Sequence, residues 1–506
     1  MPRDGDDDEE RGKKGGRERA GTRYIYTRRR SPIGLLKRNR LVLALTVCVL
    51  TFIVRAYRYY PATSTQSPPS PCPNELGGAS NDILVVLRTG ATEALSKVPI
   101  HFSTTLRCVP NYVLYSDLEE NIAGHRVHDV FANGAISHAL SESHELRFYH
   151  HLKKLGRQGL LALQATTKHD SSLGTTSDNP AWQLDRFKFL PMISQALKHR
   201  PSAKWFVFIE ADTYLVWQNL VSYLRLFDAT KPLYIGKHMY MDDVLFAHGG
   251  SGFVLSRPAM LRVVEQRDAH VARYDALAKE SAAGDMLLGK ILADVQVPLF
   301  SAFPHFQGDA VTGLDGNVSK VERRPWCYAP VTYHHMREDE IRALWGFEER
   351  WMRESDKLLR HADVFKSFLL PRLRPKLDGW DNFSLDSIDS SSDSAAAVPS
   401  TADCEARCEA NSACLQFSYE TAAGNCATST RVVLGEAARR QCVEYSSAAG
   451  RCVRWQGDGD DDNKDSRMGN TTPGLVQSGW MMHRLQRYVE EMDSMCSQEK
   501  MSIWVV

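Results

Sequence analysis

The residues with the clearest chemical capacity lie in KWFVFIEADTYLVWQNL, Lys204 to Leu220. An apolar run that reads as a buried strand ends on two carboxylates, Glu210 and Asp212, one residue apart. Negative charge at the end of a buried strand is costly unless something positive sits beside it. The acids therefore lie in a solvated turn or hold a cation. Two carboxylates at i and i+2, bent together by a turn, can face one divalent ion. Hard oxygens suit magnesium or manganese, and an added imidazole tilts the choice towards manganese.

The flanking segments must position that pair. NDILVVLRTG reads as a buried strand ending in a glycine turn, and NYVLYSD (Asn111 to Asp117) as a second strand ending at an acid. DRFKFLPMISQALKHRPSAKW predicts a helix leading into the strand WFVFIE, and KPLYIG predicts a further strand. GGSGFVLSRPAMLRVVEQ reads as a glycine-rich turn entering a helix, and AAGDMLLGKILADV as another helix. Short apolar strands alternating with helices predict an α/β domain with a largely parallel sheet. Chemistry in such sheets gathers at the carboxyl ends of the strands.

The order of these segments resembles glycosyltransferase family 31, the β-1,3-glycosyltransferases that include core 1 galactosyltransferase and the Fringe proteins. The family's Asp-x-Asp-type triplet and following Thr-Tyr stand here as Glu210-Ala211-Asp212-Thr213-Tyr214. ILVVLRTG (Ile83 to Gly90) matches the first strand and nucleotide-side turn, and GGSGFVLS (Gly249 to Ser256) the Gly-Gly-Ala-Gly-Phe/Tyr element. GDMLLG (Gly284 to Gly289) takes the place of Glu-Asp-Val-x-x-Gly, and VTYHHM (Val331 to Met336) resembles the late Ser-Phe-His segment. The sequence departs from the family at Glu210, which replaces the first Asp, at Ala211, and at Gly284, which replaces an acid.

The resemblance implies a GT-A fold (Rossmann-like, mostly parallel sheet) over residues 81–370 and an inverting enzyme that uses a UDP-sugar. Asp212, with Glu210 assisting, would hold Mn2+ or another divalent cation against the diphosphate charge. His334 matches a further ligand position, with His335 adjacent as its rival. Asp285 matches the base that takes the acceptor's proton, although an Asp near a helix start is also explained by the helix dipole. Gly249, Gly250 and Gly252 would let backbone approach the donor sugar. Arg88, Thr89 and Gly90 follow the first strand where uridine diphosphate should lie, and Asp117 ends the second. Trp182 and Trp345 could stack on sugar faces, though core packing explains both.

The chain has 506 residues and a net charge of +1, which implies several domains and excludes a broadly basic nucleic-acid surface. Residues 1–40 are almost devoid of apolar residues and predict a disordered cytoplasmic tail. Leu41 to Val54 carries no charge, is flanked by basic residues such as Arg38 and Arg40, and is followed by aromatic and basic residues to position 60. A signal anchor over 41–60 follows from this, with a single-pass type II orientation. The hydrophilic lead argues against a cleaved signal peptide. A Pro/Ser-rich stem over 61–80 leads into the lumen. Such a layout is what this family has in the Golgi membrane.

Ten of the eleven cysteines lie beyond that segment, which predicts disulfides in an oxidising compartment. Sequons at Asn317, Asn382 and Asn470 could accept glycans there. A low-complexity linker spans 386–403. After it, Cys404, Cys408, Cys414 and Cys426, with CLQFSYE between, resemble a PAN/Apple module over 401–453, with Cys442 and Cys452 as later partners. No Cys-x-x-Cys pair supports zinc instead. Residues 478–496 read as an amphipathic helix that packs on the catalytic domain. The expected function is transfer of a hexose, galactose first, from a UDP-sugar to an acceptor glycan or glycoprotein in β-1,3 linkage. The alternative is a membrane-tethered lectin with an inactive transferase scaffold.

Overall fold

The computed structural model of the chain describes residues 47, 49–51, 72, 74–166, 180–385, 398–421, 424–438, 442–446, 451–455, 476–498 and 502–506. The expected tail, most of the anchor, residues 61–71 and 73 of the expected stem, much of the linker and residues 456–475 lie outside these; the rest of the stem holds Cys72 and opens a 3-10 helix, Asn74–Asp82. Among the described residues no helix is long and apolar enough to cross a membrane. Residues 1–70 and 71–506 form separate units, and in the first only Val47 and Val49–Thr51 are described, as helix.

The second unit begins with strands β1 (Ile83–Arg88), β2 (Tyr112–Ser116), β3 (Glu120–Ile122), β4 (His125–Asp129), β5 (Trp205–Glu210), β6 (Tyr214–Leu215), β7 (Tyr234–Gly236), β8 (His238–Met241), β9 (Val244–Ala247), β10 (Phe253–Ser256), β11 (Leu299–Ser301) and β12 (Thr332–Tyr333). Eight of them form one sheet in the order β11-β7-β10-β5-β1-β2-β4-β3. Only β10 and the edge strand β3 run against the rest. The expected α/β class with a mostly parallel central sheet is therefore present.

The central strands are apolar throughout because both sheet faces are covered. All six residues of β1 are buried. The covering helices include α1 (Phe189–His199), α2 (Trp217–Leu224), α3 (Arg257–Ala269) and α4 (Gly284–Asp294). Leu84, Val86, Phe206 and Phe208 pack in one core with Met192, Met260 and Leu288. The alternate residues Val85, Leu87, Val207 and Ile209 pack in another with Leu220 and Val221. One expectation changes: between the glycine turn and α3 the chain forms β10, paired antiparallel with both β5 and β7. Its four residues are all buried, so that short apolar run fills a slot in the sheet rather than entering the helix at once.

The chain continues through helix α5 (Glu338–Glu354), strands β13 (Leu377–Asp378) and β14 (Trp380–Asp381), helix α6 (Thr401–Ala410), strands β15 (Gln416–Glu420), β16 (Asn425–Ser429), β17 (Glu436–Ala437), β18 (Cys442–Ser446), β19 (Arg451–Trp455) and β20 (Val476–Trp480), and helix α7 (Met482–Gln498). A small sheet in the order β13-β20-β15-β16 draws together strands from both sides of the linker. Disulfides Cys404–Cys426 and Cys408–Cys414 tie α6 to it. Further bridges join Cys72 to Cys108 and Cys327 to Cys496; the side chains of Cys442 and Cys452 lie outside the described ones.

Residues 478–480, read as the start of the last helix, belong instead to β20, whose backbone completes the pairing of β15. The helix that follows packs Leu485, Tyr488 and Met492 against Trp326 and Phe365, as expected of an element docked on the larger domain. The Asn382 sequon is also revised. Asn382 is fully buried, its Nδ2 donates to the Phe417 carbonyl at 3.0 Å, and its Oδ1 accepts from Ser384 Oγ at 2.8 Å. In this fold it is a structural amide and offers no nitrogen to a glycan. Asn317 is exposed, and Asn470 lies outside the described residues.

Candidate active site

Parallel pairing sets Arg88 at the end of β1 beside Glu210 at the end of β5. The buried Arg88 guanidinium pairs with Glu210 and with Asp185. Lys188 Nζ lies 3.4 Å from Asp185 and 3.3 Å from Asp117, and donates to the Thr89 carbonyl at 3.0 Å. Asp117 Oδ1 in turn accepts from the Ala91 amide at 2.7 Å. Signs alternate along this buried chain, which is what makes charge tolerable there. Burial raises the Glu210 pKa even with Arg88 beside it. Burial acts the same way on Asp185, but Arg88 and Lys188 outweigh it and hold its pKa down.

Asp212 follows β5 in a turn, and its partner arrives from far along the chain. Strand β6 pairs with β12, Tyr214 opposite Tyr333, and the Met336 amide donates to the Asp212 carbonyl at 2.9 Å. That pairing carries His334 to the acids: its Nε2 is 3.3 Å from Asp212 Oδ1 and 3.9 Å from Glu210 Oε2. Asp212, His334 and His335 each offer a ligand atom within 4.8 Å of the others. Asp212 Oδ1 and His334 Nδ1 are buried and lack a hydrogen-bond partner. A buried carboxylate oxygen that faces an imidazole at 3.3 Å, with a second imidazole beside it, fits a divalent cation. Glu210 stands at the margin of this cluster with one oxygen given to Arg88.

The electrostatics agree with that donor set. Burial opposes the Asp212 charge, yet His334 and Lys97, whose Nζ is 3.2 Å away, hold its carboxyl well below the usual range. Burial likewise opposes charge on His334, but Asp212 and Glu210 raise its pKa. Burial and the neighbouring His334 lower that of His335. His248 lies edge-on to His334, bonded to Ser251; burial, then His334, pushes it down to about 3, so it stays neutral.

The glycine turn closes the site from beneath. A β-carbon on Gly250 would lie 2.2 Å from His334 Cε1, so only glycine fits there. Gly252 makes the turn at φ +77°. The Gly249 amide donates to Asp285 Oδ2 at 2.8 Å, and the Met286 amide to Asp285 Oδ1 at 2.9 Å. Asp285 is thus held in the first turn of α4, and its pKa is raised by burial against those bonds. Gly284 is also explained: a β-carbon would sit 2.2 Å from Phe189 Cδ2 and 2.8 Å from the Arg186 carbonyl. No acid can occupy that position beside Phe189.

A cleft of about 480 Å³ is lined by Arg88, Thr89, Gly90, Glu210, Asp212, Gly250, Asp285 and His334. The sequence-based set therefore converges, with Asp117, Gly249 and Gly252 supporting the wall from behind. Sequence reasoning missed Lys97, Asp185, Lys188 and His248, which also belong to the site. DRFK at Asp185 to Lys188 was the available signal, charged residues opening a helix that is otherwise apolar. Trp345 is buried in the core and the Trp182 side chain lies outside the described ones.

Residues 79–309 match the family model described as Fringe-like, and residues 380–459 match that of the PAN domain. Over 95 residues the chain is 34% identical to the Glycoprotein-N-acetylgalactosamine 3-beta-galactosyltransferase 1 of Xenopus laevis, covering 18% of this chain and 26% of that protein. The chain thus spans about a quarter of the length of that relative. The PAN match begins before the linker, in keeping with β14 lying beside β17. The chain is thus similar to Fringe-like proteins over residues 79–309 and to PAN domains over residues 380–459.

Proposed function

We propose that the protein is an inverting glycosyltransferase that moves a hexose, most simply galactose, from a UDP-sugar to an acceptor glycan or glycoprotein in β-1,3 linkage. The observation that carries this reading is the meeting of Asp212 with His334 and His335 in a cleft that Asp285 also lines. Asp212, His334 and His335 would hold a divalent cation, manganese by its taste for mixed oxygen and imidazole ligands. When bound, the ion supplies positive charge to the diphosphate leaving group.

The chain's own residues do the rest. Arg88 and Lys188 fix Asp185, Glu210 and Asp117 in place at the strand ends and offset their charge. Thr89 and Gly90 present the strand end to the nucleotide. Gly250 brings backbone close without a side chain. Asp285, with both oxygens fixed by amides and its basicity raised by burial, takes the proton of the acceptor hydroxyl. The same reading places the protein in the Golgi membrane as a single-pass type II protein, anchored through residues 41–60.

The test is UDP release by the purified full chain over a panel of UDP-sugars and acceptor glycans with manganese. Turnover that is abolished by a chelator and by Asp285→Asn is expected. The alternative, a lectin on an inactive scaffold, draws on the capture of Glu210 by Arg88; it requires glycan binding with no UDP released from any donor.

A further inference from the structure

Beyond the cleft lies a second hollow of about 420 Å³, on the far side of Lys97, Asp212 and His335, residues that also line the first. Ile100, Met336 and Ile341, all buried, form its floor. Arg337 and Glu338 stand on its rim and continue into an open groove along the first turn of α5, past Asp339 and Arg342. Glu436 of β17, a residue within the PAN match, stands beside them, its Oε2 2.8 Å from Arg337. The hollow is therefore built jointly by both domains and opens beside the reacting site.

Its chemistry selects among occupants. Every cation around it is closed by acids: Lys97 by Asp212 at 3.2 Å and Glu93 at 2.8 Å, Arg337 by Glu436 at 2.8 Å and by Asp339 and Glu340 at 3.3 Å, Arg342 by Glu338 at 2.6 Å. A rim on which carboxylates outnumber cations, with every cation closed, disfavours an acidic occupant. It does offer carboxylates and guanidinium groups that bond to hydroxyls, above an apolar floor on which the C–H faces of a sugar can rest. We propose that this hollow is an extended acceptor subsite for a neutral oligosaccharide, and that the PAN domain contributes to it directly through Glu436. The proposal rests on the transferase reading for the word acceptor, but binding tests it independently of turnover.

The experiment measures binding of labelled neutral gluco-, manno- and galacto-oligosaccharides of increasing length to the full chain, with UDP and manganese present. Affinity should rise with length, and Glu436→Ala should lower it for the longest members about tenfold, the loss of one charge-assisted bond, with single sugars unaffected. Glu338→Ala, at an exposed position, repeats the test without touching the β14–β17 pairing. Binding independent of length, binding indifferent to both substitutions, tighter binding of charged peptides, or no binding across the panel would each overturn the subsite. Loss of manganese-dependent UDP binding in the same samples would instead count against the transferase reading.

Discussion

Gly250 and His334 lie so close that a β-carbon on the glycine would enter the imidazole ring, 2.2 Å from its Cε1. The turn after β9 and the segment after β12 are therefore packed face to face across the candidate metal cluster. Gly250→Ala should push His334 off Asp212. Titration of UDP with manganese is expected to show binding weakened by tenfold or more, since displaced site geometry of about 1 Å has that order of effect. Unchanged binding would mean that His334 takes no part.

Asp212 and Glu210 should separate by substitution. Asp212 has a buried, unpartnered oxygen facing His334, whereas Glu210 is committed to Arg88. Asp212→Asn is expected to remove manganese-dependent UDP binding. Glu210→Gln should leave manganese binding measurable while lowering thermal stability, because Arg88 loses a buried partner at a cost on the order of 3 kcal/mol. Calorimetry on both variants distinguishes the roles.

An acid placed at position 284 should harm the protein. Gly284→Asp must place its β-carbon against Phe189 and the Arg186 carbonyl. Overpacking of this kind costs about 1–3 kcal/mol. Thermal melting is expected to show a destabilised chain, and Gly284→Ala should show most of the same loss.

Glu348 predicts a pH dependence away from the cluster. It is buried on α5 and accepts from the Tyr214 hydroxyl. Burial, against that bond, raises its pKa from the usual 4.5 to about 7. The folded state then holds a proton that the unfolded state has released, so this carboxyl's contribution to stability declines as pH rises from 4.5 to about 7 and is flat above. Glu348→Gln should flatten that decline and be the more stable protein at pH 8 by up to about 3 kcal/mol. Melting curves at pH 5 and pH 8 for both chains check the sign.

Asn382 should carry no glycan. Its amide is buried between β15 and β20, so peptide mapping of the full chain expressed in a glycosylating host is expected to find the position unmodified and Asn317 available. Asn382→Ala should destabilise the small sheet by about 1–3 kcal/mol, because the buried Phe417 carbonyl loses its side-chain donor.

The strands at Ile83 and Trp205 were legible in sequence because a strand covered on both faces must be apolar at every position, and few other elements are. The carboxylates at 210 and 212 stood out by residue type and spacing, whereas the glycines at 249–252 and Asp285 were singled out only through the resemblance to a known family. The sequence left other matters open. Whether His334 or His335 belongs to the cluster depends on the register of β6 with β12, a pairing between segments more than a hundred residues apart, and the fold admits both. That Glu210 answers to Arg88 follows from the alignment of β1 with β5. That Gly284 is a packing necessity depends on where Phe189 comes to rest, and that strands on either side of the linker share a sheet depends on which edges remain unpaired. Side-chain chemistry is a local property and survives in the letters; contact is a relation between distant backbones, and only the folded chain supplies it.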